Sequence, residues 1–403
     1  MSALRKSSLL AIVAIVALAL NLRPVLAGIG PLLSHIQKDI ALSSSEAGLL
    51  TALPVCMMGV CAFFGKPLLR ALGLRLGVGI GCVMIAAACA LRMTTDGRLG
   101  LLATAMLAGV GIALIQVLLP IWIKQRFSDQ VGRVFGLYVT GIMGGAAIAA
   151  ASVAQLATWW HWTGALALWA LPALCALPLW LLSAPRKKEP ACVKILPSDD
   201  ALPLWKAGRA WTLMLFFGTC TGAYTLVLMW LPPFYVEQGW SSASGGLLLS
   251  ALTCAEVAAG LIVSSCIDRF PDRRVPLCTA LLLLMAGLAC LIGAPTILAL
   301  PACALLGLGI GALFPLSLIV TLDHVDDPER AGMLAAFVQG GGYIIASVMP
   351  LFAGVLRDAL SGLEPAWGLM LMESMALLLL CLRFSPASYA RASIGRQACN
   401  AAK

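Results

Sequence analysis

Two ionisable side chains inside apolar runs are the residues of this sequence that could do chemistry. Residues 17–30 read ALALNLRPVLAGIG, so Arg23 lies in an apolar run with Asn21 and Pro24 beside it. An arginine keeps its proton and presents several N–H donors in a planar fork, which suits an anion. Glu256, in SALTCAEVAAG, is a carboxyl in a similar setting and could pair with a cation or exchange a proton.

Composition places these residues in a membrane protein. The chain has 403 residues, of which 61% are hydrophobic and only 11% are charged. A soluble protein of this size has about 25% charged residues, so lipid must be the solvent of this one. None of the 14 cysteines falls in a CxxC pair and most lie in apolar runs, where they serve as small packing residues. The sequence predicts no metal site and no cofactor.

Twelve apolar runs predict the crossings. A transmembrane helix needs about 20 mainly apolar residues. The runs that meet this condition are 9–33, 46–64, 76–92, 99–123, 132–157, 164–183, 210–234, 245–267, 275–292, 296–321, 331–356 and 365–382. The longest break, 184–209, predicts a cytoplasmic linker between an N-terminal six-helix bundle (1–183) and a C-terminal six-helix bundle with a short cytoplasmic tail (210–403). The predicted fold class is therefore an all-α membrane protein with twelve transmembrane helices.

The second half of the chain repeats features of the first half. SSSEAGLLTAL (43–53) is answered by SSASGGLLLSAL (241–252), and GVGIAL (109–114) by GLGIGA (307–312). Both pairs are related by an offset of 198 residues, from 43 to 241 and from 109 to 307. Six helices repeated in one orientation predict two parallel pseudo-repeats, with their axis along the membrane normal.

The distribution of lysine and arginine predicts the orientation. Loops on one side of the predicted spans, together with both tails, hold 22 of the 27 basic residues. Since cytoplasmic loops are rich in lysine and arginine, both termini and the linker are expected in the cytoplasm. This pattern also explains the net charge of +9, so no nucleic-acid partner is predicted. The opposite loops hold Lys38, Arg92, Arg98 and Arg357.

Arg23 lies deep in the first predicted span. If that helix starts near Ser8, Arg23 is about 22 Å into a hydrocarbon core about 30 Å thick. A lipid-facing arginine there costs at least ~2.5–3.5 kcal/mol, so it must face protein or a water-filled cavity. Three roles remain open: it binds an anionic substrate, it pairs with Glu256, or it sets the field of a cavity. Pro24 should also loosen the helix and permit a bend.

A single cation favours a small monovalent anion, or a neutral polar molecule with one acceptor edge, since phosphates and dicarboxylates usually need more cations. Other polar residues in the spans could contact such a substrate or form helix–helix hydrogen bonds. The substrate-binding candidates are Arg23, Asn21, Gln116, Gln339, Tyr343 and Tyr224.

Glu256 is the candidate for proton coupling. A buried carboxyl could take up a proton on one side and release it on the other, so H⁺ symport would counter the charge of the anion. The alternatives are a neutral, hydrogen-bonded glutamic acid and the partner of Arg23.

The chain resembles the major facilitator superfamily over its whole length. CIDRFPDRR (266–274) is similar to the cytoplasmic gate motif of that superfamily, in which an Asp pairs with a helix end and Arg residues brace the neighbouring helix. The alternative is a solvated loop. The first-half counterpart, GKPLLRALGLR (65–75), lacks the Asp. The resemblance implies the gate residues Asp268, Arg269, Arg273, Arg274, Arg70 and Arg75. It also implies two bundles that rock about a central site.

A narrower resemblance is to the cyanate permease family, which also includes nitroimidazole exporters. It rests on NLRPVLAGIGPLL (21–33), GLLTALPV (48–55), GVGIALIQVLLPIWIKQRF (109–127), WLPPFYVEQG (230–239), TLDHVDDPERAGMLAAFVQGGGYIIA (321–346) and GVLRD (354–358). The resemblance implies a carrier of cyanate or a related small anion in the bacterial inner membrane, working as a monomer. Export of a nitroimidazole-like drug is the alternative.

Two other classes lack their motifs. An enzyme in the membrane would need a nucleophile–base pair or a metal set such as HExxH, and ATP-driven transport would need GxxxxGK[ST]. The sequence contains neither motif. The predicted protein is therefore a secondary carrier and not an enzyme.

Overall fold

The computed structural model describes residues 2–95, 97–184, 204–325 and 327–386. These residues contain helices and no β-strand, as predicted for an all-α protein. The helices are α1 (Ser2–Leu20), α2 (Pro24–Ala27), α3 (Ile29–Ile40), α4 (Ser44–Phe63), α5 (Gly65–Leu91), α6 (Arg98–Arg126), α7 (Val131–Ala167), α8 (Ala170–Ser183), α9 (Gly208–Glu237), α10 (Ser242–Cys266), α11 (Arg274–Gly293), α12 (Ala299–Leu322), α13 (Pro328–Leu360) and α14 (Glu364–Cys381). Following the predicted orientation, we call the end at which α4 begins and α13 ends the outer face, and the opposite end the inner face.

Eleven helices within the described ranges are long and apolar enough to cross a bilayer. The sixth predicted crossing begins inside α7, because residues 160–161 leave helical geometry and divide that helix. Past this break, Trp162 donates to Asp39 near the outer face (2.6 Å), and Trp180 donates to the carbonyl of Arg75 near the inner face (2.9 Å). The segment between the two tryptophans therefore spans the molecule, and the architecture is consistent with twelve crossings.

The first crossing is broken where the sequence predicts a bend. Helix α1 ends at Leu20, residues 21–23 are not helical, and α2 begins at Pro24. Because proline has no N–H, the carbonyl of Leu20 loses its usual donor four residues on. The side chain of Asn21 donates to the carbonyl of Ala17 (2.7 Å) and closes the end of α1.

The predicted linker, 184–209, is described only at its ends. Residues 185–203 lie outside the described residues, and so does the predicted tail beyond 386. Helix α9 begins at Gly208, close to the predicted start of the C-terminal half at 210.

The packing repeats with the same offset as the sequence. A Cβ on Gly109 would lie 2.5 Å from the Cα of Pro54, and a Cβ on Gly307 would lie 2.4 Å from the carbonyl oxygen of Leu252. The offset of 198 residues relates both members of one pair to both members of the other. Helix α6 therefore packs on α4 in the N-terminal half as α12 packs on α10 in the C-terminal half. Glycine is required because the backbones touch.

The two halves meet along equivalent helices. A Cβ on Gly48 would lie 2.4 Å from the carbonyl oxygen of Pro350, and a Cβ on Gly246 would lie 2.2 Å from that of Ala150. Gly48 and Gly246 are again 198 positions apart. Helix α4 therefore packs on α13, and α10 on α7, which is the arrangement of two pseudo-repeats around an axis between them.

A carboxylate of one half caps a helix of the other half at the outer face. The two oxygens of Asp358, on α13, accept the backbone N–H groups of Ser44 (2.9 Å) and Ser45 (2.8 Å) at the start of α4. The next N–H group, of Glu46, donates to the side chain of Ser43 (3.1 Å). These N–H groups have no partner within their own helix, and the positive end of the helix dipole favours a carboxylate there. These contacts close the outer face between α4 and α13.

Replacing Asp358 with alanine is expected to loosen this closure. Loss of a capping carboxylate costs about 1 kcal/mol, which corresponds to an opening of the outer contact that is about fivefold more frequent. Hydrogen–deuterium exchange of residues 44–46 should therefore accelerate by about that factor. Glu364→Ala removes an exposed carboxylate in the first turn of α14, outside this contact, and should leave the exchange unchanged. Wild-type exchange rates in a folded Asp358→Ala protein would show that the cap does not hold the outer face closed.

Candidate functional site

Arg23 lies in the break of the first crossing and is enclosed by protein. It directly precedes α2, and only 5% of its surface is exposed. Its guanidinium carbon lies 5.3 Å from the ring centroid of Tyr224, on α9 of the other half. Such a cation–π contact partly offsets the loss of hydration. The Nε atom of Arg23 is buried without a hydrogen-bond partner. The prediction that this arginine faces protein and not lipid is confirmed.

Glu256 lies on α10 and is 4% exposed. Both of its carboxylate oxygens are buried without a hydrogen-bond partner. The charge of Arg23 acts on this carboxyl, but no hydrogen bond joins the two side chains. The structure therefore does not contain the direct Arg23–Glu256 pair that the sequence left open. A Cβ on Gly311 would lie 2.4 Å from the Cα of Glu256, so α12 covers the backbone at this position.

Three buried tyrosines lie within the electrostatic reach of the arginine. The charge of Arg23 acts on Tyr138, Tyr224 and Tyr343, and all three side chains are buried. The hydroxyl of Tyr224 has no hydrogen-bond partner. The ring of Tyr343 packs edge to face on Phe217, with 5.6 Å between the centroids. We call this set the arginine cluster: Arg23, Tyr138, Tyr224, Glu256 and Tyr343.

The other predicted binding residues lie at different distances from this cluster. Asn21 is buried two residues before Arg23, but its amide nitrogen is committed to the end of α1. Gln339 is half-buried and lies one helical turn before Tyr343 on α13, which places both on one face of that helix. Gln116 is half-buried on α6, and its side-chain oxygen has no partner. Within the described residues, no hydrogen bond joins Gln116 to the arginine cluster.

Two residues of this region were not among the predicted site residues. Tyr138, on α7, is a buried tyrosine on which the charge of Arg23 also acts. Thr221 is 5% exposed, and its hydroxyl is buried without a partner. It lies three residues before Tyr224 on α9, so the two side chains share one helix face. This spacing was the sequence signal that could have identified Thr221.

The arginine cluster is suited to one small anion. A guanidinium stacked on a ring keeps its N–H edge for an acceptor in its own plane. Tyrosine and threonine hydroxyls can donate to the same acceptor. The cluster draws residues from both halves, since Arg23 and Tyr138 belong to the first half and Tyr224, Glu256 and Tyr343 to the second. Any motion of one half against the other therefore changes the site.

The predicted gate residues form contacts within the C-terminal half. Arg273 donates through Nε to Asp323 at the end of α12 (2.8 Å), and through Nη1 to the carbonyls of Ile267 (2.7 Å) and Phe270 (2.8 Å). These contacts hold Arg273 against the end of α12, and its role in a cytoplasmic gate stays a prediction.

Asp268 does not pair with a helix end in this conformation, and its role in the gate stays a prediction. Asp268 and Arg269 are exposed, and Asp268 makes no hydrogen bond with the described residues. Asp272 instead accepts the backbone N–H of Arg274 (3.0 Å) at the start of α11, because it lies two residues before that helix end. The hydrogen bond from the Arg274 side chain lowers the pKa of Asp272, which keeps this carboxyl charged.

The first-half gate residues do not reach the C-terminal half. Arg70 is exposed and Arg75 is half-buried on α5. Gly73, between them, has a φ of 69°, which divides α5 into an inner-face helix and a membrane-crossing helix. Among the described residues, no hydrogen bond or ion pair joins the side chains of Arg70 and Arg75 to the other half.

Comparison with known proteins identifies the family. The sequence profile of the Major Facilitator Superfamily matches residues 9–350 and, a second time, residues 239–398. The chain belongs to the Major Facilitator Superfamily. It is therefore a membrane transporter, and the resemblance found in its sequence is confirmed.

Individual proteins narrow the comparison within the superfamily. The cyanate transport protein CynX of Escherichia coli (strain K12) is 37% identical over 378 residues, which cover 93% of this chain and 97% of that protein. The 2-nitroimidazole transporter of the same organism is 30% identical over 360 residues, or 88% of this chain and 90% of that protein. The crystal structure of a D-xylose-proton symporter superimposes with a TM-score of 0.75 at 16% identity, over 93% of this chain and 97% of that one, and shows the same fold.

Two neighbouring glycines test the geometry of the break. A Cβ on Gly145 would lie 2.1 Å from the carbonyl oxygen of Leu20, whereas a Cβ on Gly144 would meet only the side chain of Leu20, at 3.6 Å. Gly145→Ala should therefore force α7 away from the break and cost about 1–3 kcal/mol of stability. The apparent melting temperature in detergent should fall for Gly145→Ala and stay at the wild-type value for Gly144→Ala. Equal melting temperatures for the two variants would contradict the close approach.

Proposed function

We propose that the protein carries cyanate, a small monovalent anion, across the bacterial inner membrane by alternating access. The observation that carries this proposal is Arg23, a buried cation to which no carboxylate of the described residues is hydrogen-bonded. A charge in this position is costly unless a ligand of opposite sign visits it. The similarity to a cyanate transport protein over nearly the whole chain supports cyanate as the substrate.

The charge and the number of hydrogen-bond donors of the site are consistent with this substrate. The cluster offers one guanidinium and a small number of hydroxyls, so one negative charge is neutralised and few further acceptors are needed. In the proposed complex, Arg23 binds the anion in the plane of its fork and Tyr224 stacks on the guanidinium. Tyr343, Gln339 and Thr221 extend the site on the side of the C-terminal half.

Glu256 is proposed to couple the anion to a proton. An ionised Glu256 and a bound anion would both be attracted by Arg23, and they would repel each other. Protonation of Glu256 removes this competition, so the proton and the anion bind cooperatively. One proton carried with one anion makes the transport cycle electroneutral, so the inside-negative membrane potential no longer opposes uptake.

The motion is proposed to be a rocking of residues 1–183 against residues 210–403 about the arginine cluster, within a monomer. Both termini and the linker lie in the cytoplasm in this proposal, as the distribution of basic residues predicts. Asp358 closes the outer face in the conformation described above. The gate residues, Asp268, Arg269, Arg273, Arg274, Arg70 and Arg75, are proposed to close the inner face in the opposite conformation.

Export of a nitroimidazole-like drug is the second candidate, because a 2-nitroimidazole transporter is 30% identical to the chain. A neutral heterocycle needs mainly shape and hydrogen bonds, whereas an anion needs the charge of Arg23. The two functions therefore differ in their response to substitution of this arginine.

Uptake of labelled cyanate into proteoliposomes tests the anion site. Saturable uptake is expected for the wild type, and Arg23→Gln should lower kcat/KM by about 100-fold, because truncating a buried charge contact costs several kcal/mol. Arg23→Lys keeps the charge without the planar fork, and its kcat/KM should lie between those of the wild type and Arg23→Gln. Arg98→Gln removes an exposed outer-face cation, paired with Glu46 at 3.0 Å, and should transport normally.

The outcomes distinguish anion transport from drug export, and they test separately whether Arg23 is the anion site. If the wild type does not transport cyanate, and both the wild type and Arg23→Gln transport 2-nitroimidazole, the protein is a drug exporter and not an anion carrier. If a folded Arg23→Gln protein transports cyanate with wild-type parameters, Arg23 is not the anion site.

A second prediction concerns proton coupling. The affinity of the wild-type protein for cyanate should rise by at least about fivefold as the pH falls through the titration of Glu256, since the neutral carboxyl leaves Arg23 to the anion. In Glu256→Gln the affinity should be high and independent of pH, and an inward proton gradient should no longer accelerate uptake. Equilibrium binding at several pH values measures the first effect. A pH-dependent affinity that persists in Glu256→Gln would rule out this residue as the coupling site.

A further inference from the structure

Arg92 is a buried cation that the proposed transport cycle does not use. The sequence places it among the few basic residues of the outer loops, where a solvated side chain is expected. In the structure it directly follows the last residue of α5, and none of its surface is exposed. Its guanidinium lies against α2 and α6, inside the N-terminal half.

The guanidinium of Arg92 has two neutral oxygen partners. Its Nη1 donates to the backbone carbonyl of Val25 (3.3 Å), and its Nε donates to the hydroxyl of Thr104 (3.5 Å). The hydroxyl of Thr104 itself donates to the carbonyl of Leu101 (2.7 Å), so its oxygen is left to accept from Arg92. The Nη2 atom of Arg92 is buried without a partner, and no carboxylate in the described part of the chain pairs with this residue.

The partner on α2 belongs to the break that presents Arg23. Helix α2 is a single turn, and a helix end leaves carbonyl groups without intrahelical donors. The N–H of Gly28 satisfies the carbonyl of Pro24 (3.0 Å), and Arg92 supplies a donor for that of Val25. A cation at this end of a helix also interacts favourably with its dipole. The turn that begins directly after Arg23 is therefore tied to the end of α5 by the side chain of Arg92, the residue that follows this helix.

We propose that Arg92 is a positioning residue for the anion site, which holds the carbonyl of Val25 and so fixes the direction of the Arg23 guanidinium. The inference rests on the proposed function in one respect, namely that Arg23 binds the anion. A buried charge without a carboxylate is costly, so a residue that only filled space at this position would be better replaced by an apolar side chain.

Removal of Arg92 should act on binding and leave most of the turnover intact. Without the donor to Val25, the one-turn helix is less well fixed and Arg23 samples more orientations. In Arg92→Met, the KM for cyanate should rise by about tenfold, while the maximal rate per folded molecule changes by less than about twofold. A purely structural role would instead reduce the amount of folded protein and leave KM unchanged.

A readout without substrate tests the positioning directly. Hydrogen–deuterium exchange in lipid nanodiscs should accelerate by about tenfold at Leu26, Ala27 and Gly28, whose N–H groups close the α2 turn. Residues of α4 and α13 should keep their wild-type exchange. Since no substrate is present, this measurement stands even if the wild type does not transport cyanate, and the two failures can be told apart.

Matched variants separate the two contacts of Arg92. Thr104→Val removes the partner of Nε and keeps the contact to Val25, so KM and the exchange of the turn should stay near the wild-type values. Arg92→Lys keeps a charged donor, so its KM and its exchange at the α2 turn should lie between those of the wild type and Arg92→Met. If Arg92→Met does not fold, Arg92→Gln, which is neutral and too short to reach Val25, takes its place.

Two results would overturn the proposal. One is wild-type KM and wild-type exchange of residues 26–28 in a folded Arg92→Met or Arg92→Gln protein. The other is a rise of KM in Thr104→Val as large as that in the Arg92 variants, because the effect would then not pass through Val25.

Discussion

The structure around Arg23 depends on one constraint: a guanidinium enclosed in a membrane protein must be stabilised without water. Arg23 has exchanged its hydration for the face of an aromatic ring and the field of a carboxyl with which it shares no hydrogen bond. The low dielectric of this region makes any opposite charge that enters strongly attractive. The broken first crossing, the tyrosines around the break and the glycine contacts that hold the helices close all serve to keep this cation enclosed and yet available.

In the proposed transport cycle, the repeated architecture lets the site be reached from both sides of the membrane. Equivalent glycines, such as Gly48 and Gly246, permit the close approach of each half to the other. A Cβ on Gly30 would lie 3.0 Å from the carbonyl oxygen of Leu228, which is its own equivalent in the second half at the offset of 198. Equivalent positions meet only where the axis of the repeat passes. The axis therefore runs beside the break of the first crossing.

The sequence predicts most of this arrangement because hydrophobic length and repeated motifs are local signals. Arg23, Tyr224, Tyr343 and Glu256 stand out as polar residues in apolar runs, and the structure brings them together. Arg92 was counted among the basic residues of the outer loops, because position along the chain does not reveal that the end of α5 is covered by α2 and α6. The resemblance assigned a helix-end role to Asp268, whereas in this conformation Asp272 accepts the N–H at the start of α11, because it lies two residues before Arg274.

The two charged members of the arginine cluster belong to different repeats, and neither has a charged equivalent. The position equivalent to Arg23 is Thr221, and the position equivalent to Glu256 is Met58. One repeat thus contributes a positive charge to the cluster and the other a negative charge. A rigid rocking of the halves changes the separation of these two charges, so each conformation of the transporter has its own electrostatic energy. The electrostatic potential that the cluster presents to the proposed substrate would therefore change with the distance between the two repeats.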